Sequence, residues 1–279
     1  VGIVGQGFVG SAIYEGLKGF YEVRTYDIDE DLCNSTHRAV CWRSDIIFVC
    51  IPTPMRKSGE CDTRLLESVV RKIEDECSSD PQSNRPVLVI KSTVTPGTTE
   101  RINESSFLDV CFSPEFLTEA NSFRDFSTQT RIIIGGPRPA TGKVKQMFRK
   151  AFPTVPIIKT GVKTAEMVKY FTNCFLATKV TFANQMYDIC QAIDCDYDKV
   201  IEYALYDGRI GKSHLAVPGP DGDRGFGGHC FPKDLEAMIH FAERNDVFVD
   251  LLKQVKASNS TYRSNRDWEL MEGRAVSED

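Results

Sequence analysis

At 279 residues, with about a quarter of them charged and no biased tract, the chain is globular and long enough for one large domain or two smaller ones. Its net charge of −5 and the absence of any clustered Lys/Arg run exclude nucleic acid and anionic membrane as expected partners, while leaving room for a small basic pocket that takes a phosphate. The ten cysteines never form a C-x-x-C pair and several lie in apolar runs, which is the usage of reduced, buried thiols in a cytoplasmic protein, not of a disulfide framework or a zinc site. No run approaches the ~18 apolar residues of a membrane span, and no signal-peptide pattern precedes the first strand.

In chain order, the run Val1–Val4 reads as a buried strand that ends at Gly5-Gln6-Gly7-Phe8-Val9-Gly10, a G-x-G-x-x-G turn opening a helix. In that context Gly5 permits the tight turn, Gly7 lets the backbone approach a pyrophosphate, Gly10 allows close helix–strand packing, and the helix N-terminus faces the phosphates. Because the chain opens on Val and not Met, a few leading residues are expected to be missing from it. The next strand, YEVRTYD, ends on Asp27, 22 residues past Gly5. A carboxylate there accepts hydrogen bonds from an adenosine ribose and repels a 2′-phosphate, and Asp29, Glu30 and Asp31 reinforce NAD over NADP. DIIFVCIP, PVLVIKS, DVCFSPE and RIIIGG follow as short buried strands, with helical stretches such as GSAIYEGLKGF and TRLLESVVRKIEDEC between them. This alternation predicts an α/β fold: a Rossmann-type, doubly wound parallel sheet over residues 1–160, covered on both faces.

After TVPIIKTG the pattern changes to one run from Lys163 to about Ile193 that has no Pro or Gly and is apolar on nearly every face. Such a helix, roughly 45 Å long at 1.5 Å per residue, must be buried on more than one side, and a second subunit is the expected cover. YDKVIEYALYDG and PKDLEAMIHFAERN continue as helices, separated by the loop VPGPDGDRGFGG, and the C-terminal residues read as the start of a further helix that thins into a polar tail. Residues 161–279 are therefore expected to form an all-helical dimerisation domain around one long central helix. On that helix Lys169 and Asn173 are spaced i, i+4 and share a face. Burying a lysine in apolar surroundings is expensive, so a site is favoured there.

Cys230 ends the glycine-rich loop where a helix begins, and Pro232 suits a first helical turn. The thiol thus lies beside helix N–H groups whose partial positive charge favours a thiolate. The dipole contributes only ~0.3–1 kcal/mol, less than one pKa unit, so a lysine or a water-mediated base must add to it. The other nine cysteines are expected to be inert buried thiols. His229 and Cys230 have no companion ligands at useful spacing, so no metal is expected.

The stretch Gly225-Phe226-Gly227-Gly228-His229-Cys230-Phe231-Pro232-Lys233-Asp234 resembles the UDP-glucose/GDP-mannose dehydrogenase family, and further motifs keep that family's order over residues 1 to about 260. The resemblance implies NAD-dependent, four-electron oxidation of a nucleotide sugar, UDP-glucose first, at C6 to the uronic acid, through a thiohemiacetal and a thioester on Cys230. Lys91-Ser92-Thr93-Val94 matches a K-S-T-V segment whose threonine helps position the catalytic water, although Thr93 equally suits the cap of a strand end. Pro114-Glu115-Phe116-Leu117-Thr118-Glu119 matches a P-E-F-L-x-E segment; it makes Glu115 the base that activates water and places Glu119 on the cofactor side. Without the motif, such an i, i+4 glutamate pair is simply a solvated helix face.

By the same resemblance, Lys169 and Asn173 stabilise the developing oxyanion at the sugar C6, and Asp234 orders a water or tunes the lysine; Asp234 alternatively serves only as a helix N-terminal charge. Arg209, in Asp207-Gly208-Arg209-Ile210-Gly211, would reach a neighbouring subunit's substrate, which implies a homodimer. Thr53, Thr93 and Lys233 join the cofactor set, and Phe116, Leu117, Phe226 and Gly227 join the substrate set. The family's C-terminal nucleotide-binding domain is expected to be absent, with the loop Val217–Arg224 folding over the sugar in partial compensation. Two other readings stand beside this one. A two-electron β-hydroxyacid dehydrogenase also joins a dinucleotide-binding domain to a helical one, but simple alcohol oxidation needs no thiol at position 230. A truncated NAD-binding protein without turnover keeps every motif.

Overall fold

The computed structural model describes residues 1–79 and 85–278. It divides into two compact units, one made of Val1–Thr53 with Asp62–Lys169 and the other of Pro54–Cys61 with Tyr170–Asp279.

The first unit is built on seven strands: β1 (Gly2–Val4), β2 (Arg24–Tyr26), β3 (Ile46–Val49), β4 (Val87–Ile90), β5 (Val110–Phe112), β6 (Ile132–Gly135) and β7 (Ile157–Thr160). They lie in the order β2-β1-β3-β4-β5-β6-β7. The strand order reverses at β1, which has β2 on one side and β3 on the other, and a crevice at such a switch point is where doubly wound sheets bind ligands. Around the sheet lie α1 (Phe8–Leu17), α2 (His37–Trp42), α3 (Arg64–Ser78), α4 (Thr98–Ser105), α5 (Ser122–Ser127), α6 (Arg138–Ala151) and the first turns of α7 (Val162–Ala192).

Because side chains alternate along a strand, each apolar run feeds two cores. Ile46, Phe48, Val87, Val89, Ile132 and Ile134 pack with Ile13 and Leu17 of α1 and Val144 and Phe148 of α6. Ile47, Val49, Leu88, Ile90 and Ile133 pack on the opposite face with Leu66 and Ile73 of α3 and Ile102 of α4. Both faces are therefore covered, as continuous apolar strands require.

One departure from the expected parallel sheet stands at its far side, where β6 runs antiparallel to β5 and β7 then follows β6 in parallel. An apolar run such as RIIIGG carries no direction. The chain between β5 and β6 folds into a loop and the short α5, which packs on α1, and so makes no full crossover back along the sheet.

In the second unit the remainder of α7 is joined by α8 (Tyr197–Ala204), α9 (Phe231–Arg244) and α10 (Asp250–Tyr262). Tyr170, Cys174 and Ala177 of α7 pack with Leu235, Met238 and Ile239 of α9, Val255 of α10, and Cys61 and Phe226 from loops. Asp196 caps α8, its carboxylate accepting from the N–H groups of Asp198 and Lys199. The C-terminal residues are not the polar tail that their composition suggests. A 3-10 turn at Asp267–Leu270 buries Trp268 to 8% exposure, Ala275 is fully buried, and Met55 exchanges backbone hydrogen bonds with Ala275 and Ser277 at 2.8 Å each.

Candidate active site

The glycine turn occupies the switch point of the first unit. Gly5 has φ +92°, and a Cβ at Gly10 would lie 2.0 Å from the Gly5 carbonyl oxygen, so that position tolerates only glycine. A Cβ at Gly7 would meet nothing within 4 Å, which leaves that backbone open to a ligand. Gly7 is also the N-cap of α1, with no side chain closing the helix end, so that terminus fits an anionic diphosphate. Asp27 fixes the turn by accepting from the Gln6 N–H at 2.5 Å and from the Asp29 N–H at 3.0 Å. Thr53 and Thr93 meet in the same unit, where the Thr53 hydroxyl donates to the Thr93 carbonyl at 2.6 Å.

A cavity of about 300 Å³ is lined by Val9 of α1, Lys91, Glu115, Phe116, Leu117 and Arg131 among others. Glu115 in its wall is paired with the buried Lys169. The Lys169 ammonium donates to Glu115 Oε1 and to the Glu115 carbonyl, both at 2.8 Å, and the Leu117 N–H donates to Glu115 Oε2 at 2.6 Å. Phe116 takes the Arg131 guanidinium at 4.1 Å from its ring centre and the Lys169 ammonium at 5.8 Å. Glu115 and Glu119 do not share a helix. Glu115 lies in the loop after β5 and is buried, whereas Glu119 begins a 3-10 turn and is exposed.

Lys91 lines this cavity as well, a residue to which the K-S-T-V motif assigned no role. The residue is 7% exposed, and its ammonium donates to the Pro114 carbonyl at 3.0 Å. Burial pushes its pKa down to about 8; Glu115 and then Cys50 oppose that fall, and Lys169 deepens it. The signal was present in the sequence, since a lysine directly continuing the run VLVI has no route to solvent along the strand.

In the second unit, Cys230 is half-buried and caps α9, with Pro232 in the first turn and the Asp234 N–H donating to the Cys230 carbonyl at 2.9 Å. Asp234 is almost fully buried and uses both oxygens. Oδ1 accepts from the Lys233 ammonium and Oδ2 from the Asn173 amide, each at 2.5 Å. Burial alone lowers the pKa of Lys233, but the Asp234 carboxylate, with Cys61 and Cys230 adding, outweighs it and holds the lysine above its ordinary value. Other thiols behave as buried groups: Cys50, Cys111 and Cys174 are each pushed up to about 12, chiefly by burial. None of the ten cysteines is in a disulfide.

Phe226 and Gly227 lie in the loop that leads to Cys230, with Phe226 in the core and Gly227 half-exposed. Asp221 and Asp223, in the loop Val217–Arg224, face Arg263. Arg209 is 89% exposed and forks onto Asp207, donating to both of its oxygens. Among the described residues no helix is long and apolar enough to cross a membrane.

Comparison with known proteins places these features in a family. Residues 29–152 match the model of the UDP-glucose/GDP-mannose dehydrogenase family NAD binding domain, and residues 163–261 match that family's central domain. UDP-glucose 6-dehydrogenase TuaD of Bacillus subtilis is 32% identical over 260 residues, spanning 90% of this chain and 54% of that protein. UDP-glucose 6-dehydrogenase of Rickettsia conorii is 31% identical over 258 residues, spanning 91% of this chain and 57% of that one. The solved UDP-glucose dehydrogenase of Pyrobaculum islandicum superposes with a TM-score of 0.81 at 26% identity, covering 93% of this chain and 67% of its own. In fold alone, 3-hydroxyisobutyrate dehydrogenase of Mycobacterium tuberculosis superposes at 0.73 with 14% identity, over 95% of this chain and 94% of its own.

The chain belongs to the UDP-glucose/GDP-mannose dehydrogenase family. It carries that family's NAD binding and central domains, and it spans about half the length of the curated relatives it matches.

Proposed function

We propose that this chain oxidises the C6 primary alcohol of a nucleotide sugar, UDP-glucose first among candidates, to the carboxylate, with Cys230 as the covalent nucleophile. The observation that carries the reading is a half-buried cysteine at the start of α9, inside the matched central domain, when simple alcohol oxidation needs no thiol. NAD⁺, when bound at the glycine turn, supplies the electron sink for both two-electron oxidations.

The chain's own residues then divide the remaining work. Lys169 and Asn173 stabilise negative charge at the sugar oxygen. Cys230 adds to the aldehyde, giving a thiohemiacetal whose oxidation leaves a thioester. Glu115, with Thr93 positioning the water, takes a proton as water attacks the thioester, which releases the carboxylate and returns the thiol. Asp234 sets Asn173 and Lys233; Phe116, Leu117, Phe226 and Gly227 contact the substrate; Gly5 to Gly10, Asp27, Thr53, Glu119 and Lys233 serve the cofactor.

The reading includes a homodimer in a cytoplasmic setting. Its support is a row of exposed apolar side chains along α7, Phe171, Phe175, Phe182 and Ile189, a face that water covers poorly unless a second copy does so. Arg209 then serves the neighbouring copy's substrate.

The deciding experiment incubates the protein with NAD⁺ and a panel of UDP- and GDP-sugars and counts NADH formed per sugar consumed. Two per sugar is the expected result; one indicates a two-electron dehydrogenase, and none a binding protein without turnover. Release of uronic acid by Cys230→Ala at the parent rate would refute the covalent role.

A further inference from the structure

The loop before Cys230 is gripped by side chains from three other segments of the second unit. The Gly225 N–H donates to Asn184 Oδ1 at 3.3 Å. The Phe226 N–H donates to Asn259 Oδ1 at 2.8 Å, and the Asn259 amide returns a bond to the Phe226 carbonyl at 2.9 Å. The Gly228 N–H reaches both oxygens of Asp267, at 3.2 and 3.0 Å. Asp267 in turn faces Arg263, whose side chain is 2% exposed and whose guanidinium lies 2.6 Å from Asp221, 3.4 Å from Asp267 and 3.7 Å from Asp223. The fit has no slack: a Cβ at Gly227 would lie 2.3 Å from Arg263 Nη2 and 2.5 Å from Asp267 Oδ1.

Cys230 stands two residues beyond Gly228, and on its other side α9 holds it through the Asp234 N–H. The backbone of Cys230 thus lies between the first turn of a helix and a loop whose nearest anchored amide is that of Gly228. A carboxylate is a stronger acceptor for that amide than a neutral carbonyl, and the Arg263 guanidinium, 3.4 Å away, holds the carboxylate in place. We propose that Arg263 and Asp267 are positioning residues for Cys230, so that the segment after α10 sets the geometry of the nucleophile loop. The inference rests on the reading of Cys230 as the nucleophile.

The test compares the parent with Asp267→Ala and Asp267→Asn by two readouts: hydrogen exchange of the Gly228 amide, and the pH–rate profile of Cys230 alkylation by iodoacetamide, resolved by peptide mass. In the parent the Gly228 amide is protected. In Asp267→Ala its exchange rises by about tenfold or more, the effect of losing a hydrogen bond to a charged acceptor. The Cys230 profile shifts with it, while half-exposed Cys33 in the first unit reacts as before. Asp267→Asn, which keeps an oxygen toward Gly228, recovers most of the parent behaviour. An unprotected Gly228 amide in the parent, or a Cys230 profile common to parent and variants, overturns the proposal. The first of these outcomes needs no variant, so misfolding of Asp267→Ala does not shelter it. Turnover measured alongside separates the two readings: a parent that forms no uronic acid while its Cys230 reactivity follows Asp267 defeats the catalytic reading and leaves the clamp standing.

Discussion

Two lysines are buried to nearly the same depth, Lys91 at 7% exposure and Lys233 at 5%, yet their protons are held in opposite ways. Lys91 bonds to a neutral carbonyl and shares its surroundings with a second cation, so burial prevails and its pKa falls to about 8. Lys233 has the Asp234 carboxylate 2.5 Å away, and there the attraction prevails over burial. A direct carboxylate partner, not depth, decides what burial does to an amine.

The largest way to break this contrast is Asp234→Ala, which leaves Lys233 buried without its carboxylate. Urea unfolding is expected to show a loss of about 3–5 kcal/mol, the usual result of removing one partner of a buried pair. Asp234→Asn, which keeps an acceptor, should lose less.

Next comes the pH dependence. Between about 8 and the ordinary lysine value of 10.5, the unfolded chain still carries a proton that folded Lys91 has released, so stability rises with pH across that window. The full rise is on the order of 3 kcal/mol and should vanish in Lys91→Met, measured as unfolding free energy against pH. Lys233 has a raised folded value, so its stabilisation is present throughout that window and is lost only at more alkaline pH.

A smaller stability effect is expected for Glu115→Gln, roughly 1–3 kcal/mol, because the amide oxygen still accepts from Lys169 but no longer neutralises it. Under the proposed reading the same variant forms NADH in a burst and then stalls as an acyl-enzyme detectable by intact mass. At the bottom of the scale, Arg209→Ala breaks an ion pair that stands in water and should leave the melting curve unchanged. If Arg209 serves a partner's substrate, this variant loses turnover while sedimenting as the parent does.

What the sequence discloses is what local chemistry decides. The absence of Pro and Gly after Gly161 predicts a helix from Lys163 to about Ile193, and α7 runs Val162–Ala192. The G-x-G-x-x-G turn and Asp27, directly after β2, are equally local, and the Gln6–Asp27 bond ties them together. The motifs also name Glu115 and Lys169 as site candidates. They do not disclose that the two are directly paired, nor that Lys91 lines the same cavity as Glu115, because those facts depend on strands and helices far apart in the chain. The direction of β6 is hidden for the same reason. The C-terminal residues mislead most, because a polar stretch with one tryptophan gives no sign that Trp268 and Ala275 will be buried.

The pairing of Met55 with Ala275 and Ser277 bears on the order in which the molecule assembles. The strands and helices of the sheet unit emerge from the ribosome first and close over short distances, whereas the segment Pro54–Cys61, already synthesised, belongs to the other unit and must wait. Closing a loop across most of the chain is slow, and contacts of such sequence separation form late. The second unit is therefore a discontinuous folding unit, completed only when the polypeptide near residue 277 comes back to meet a stretch made some two hundred residues earlier.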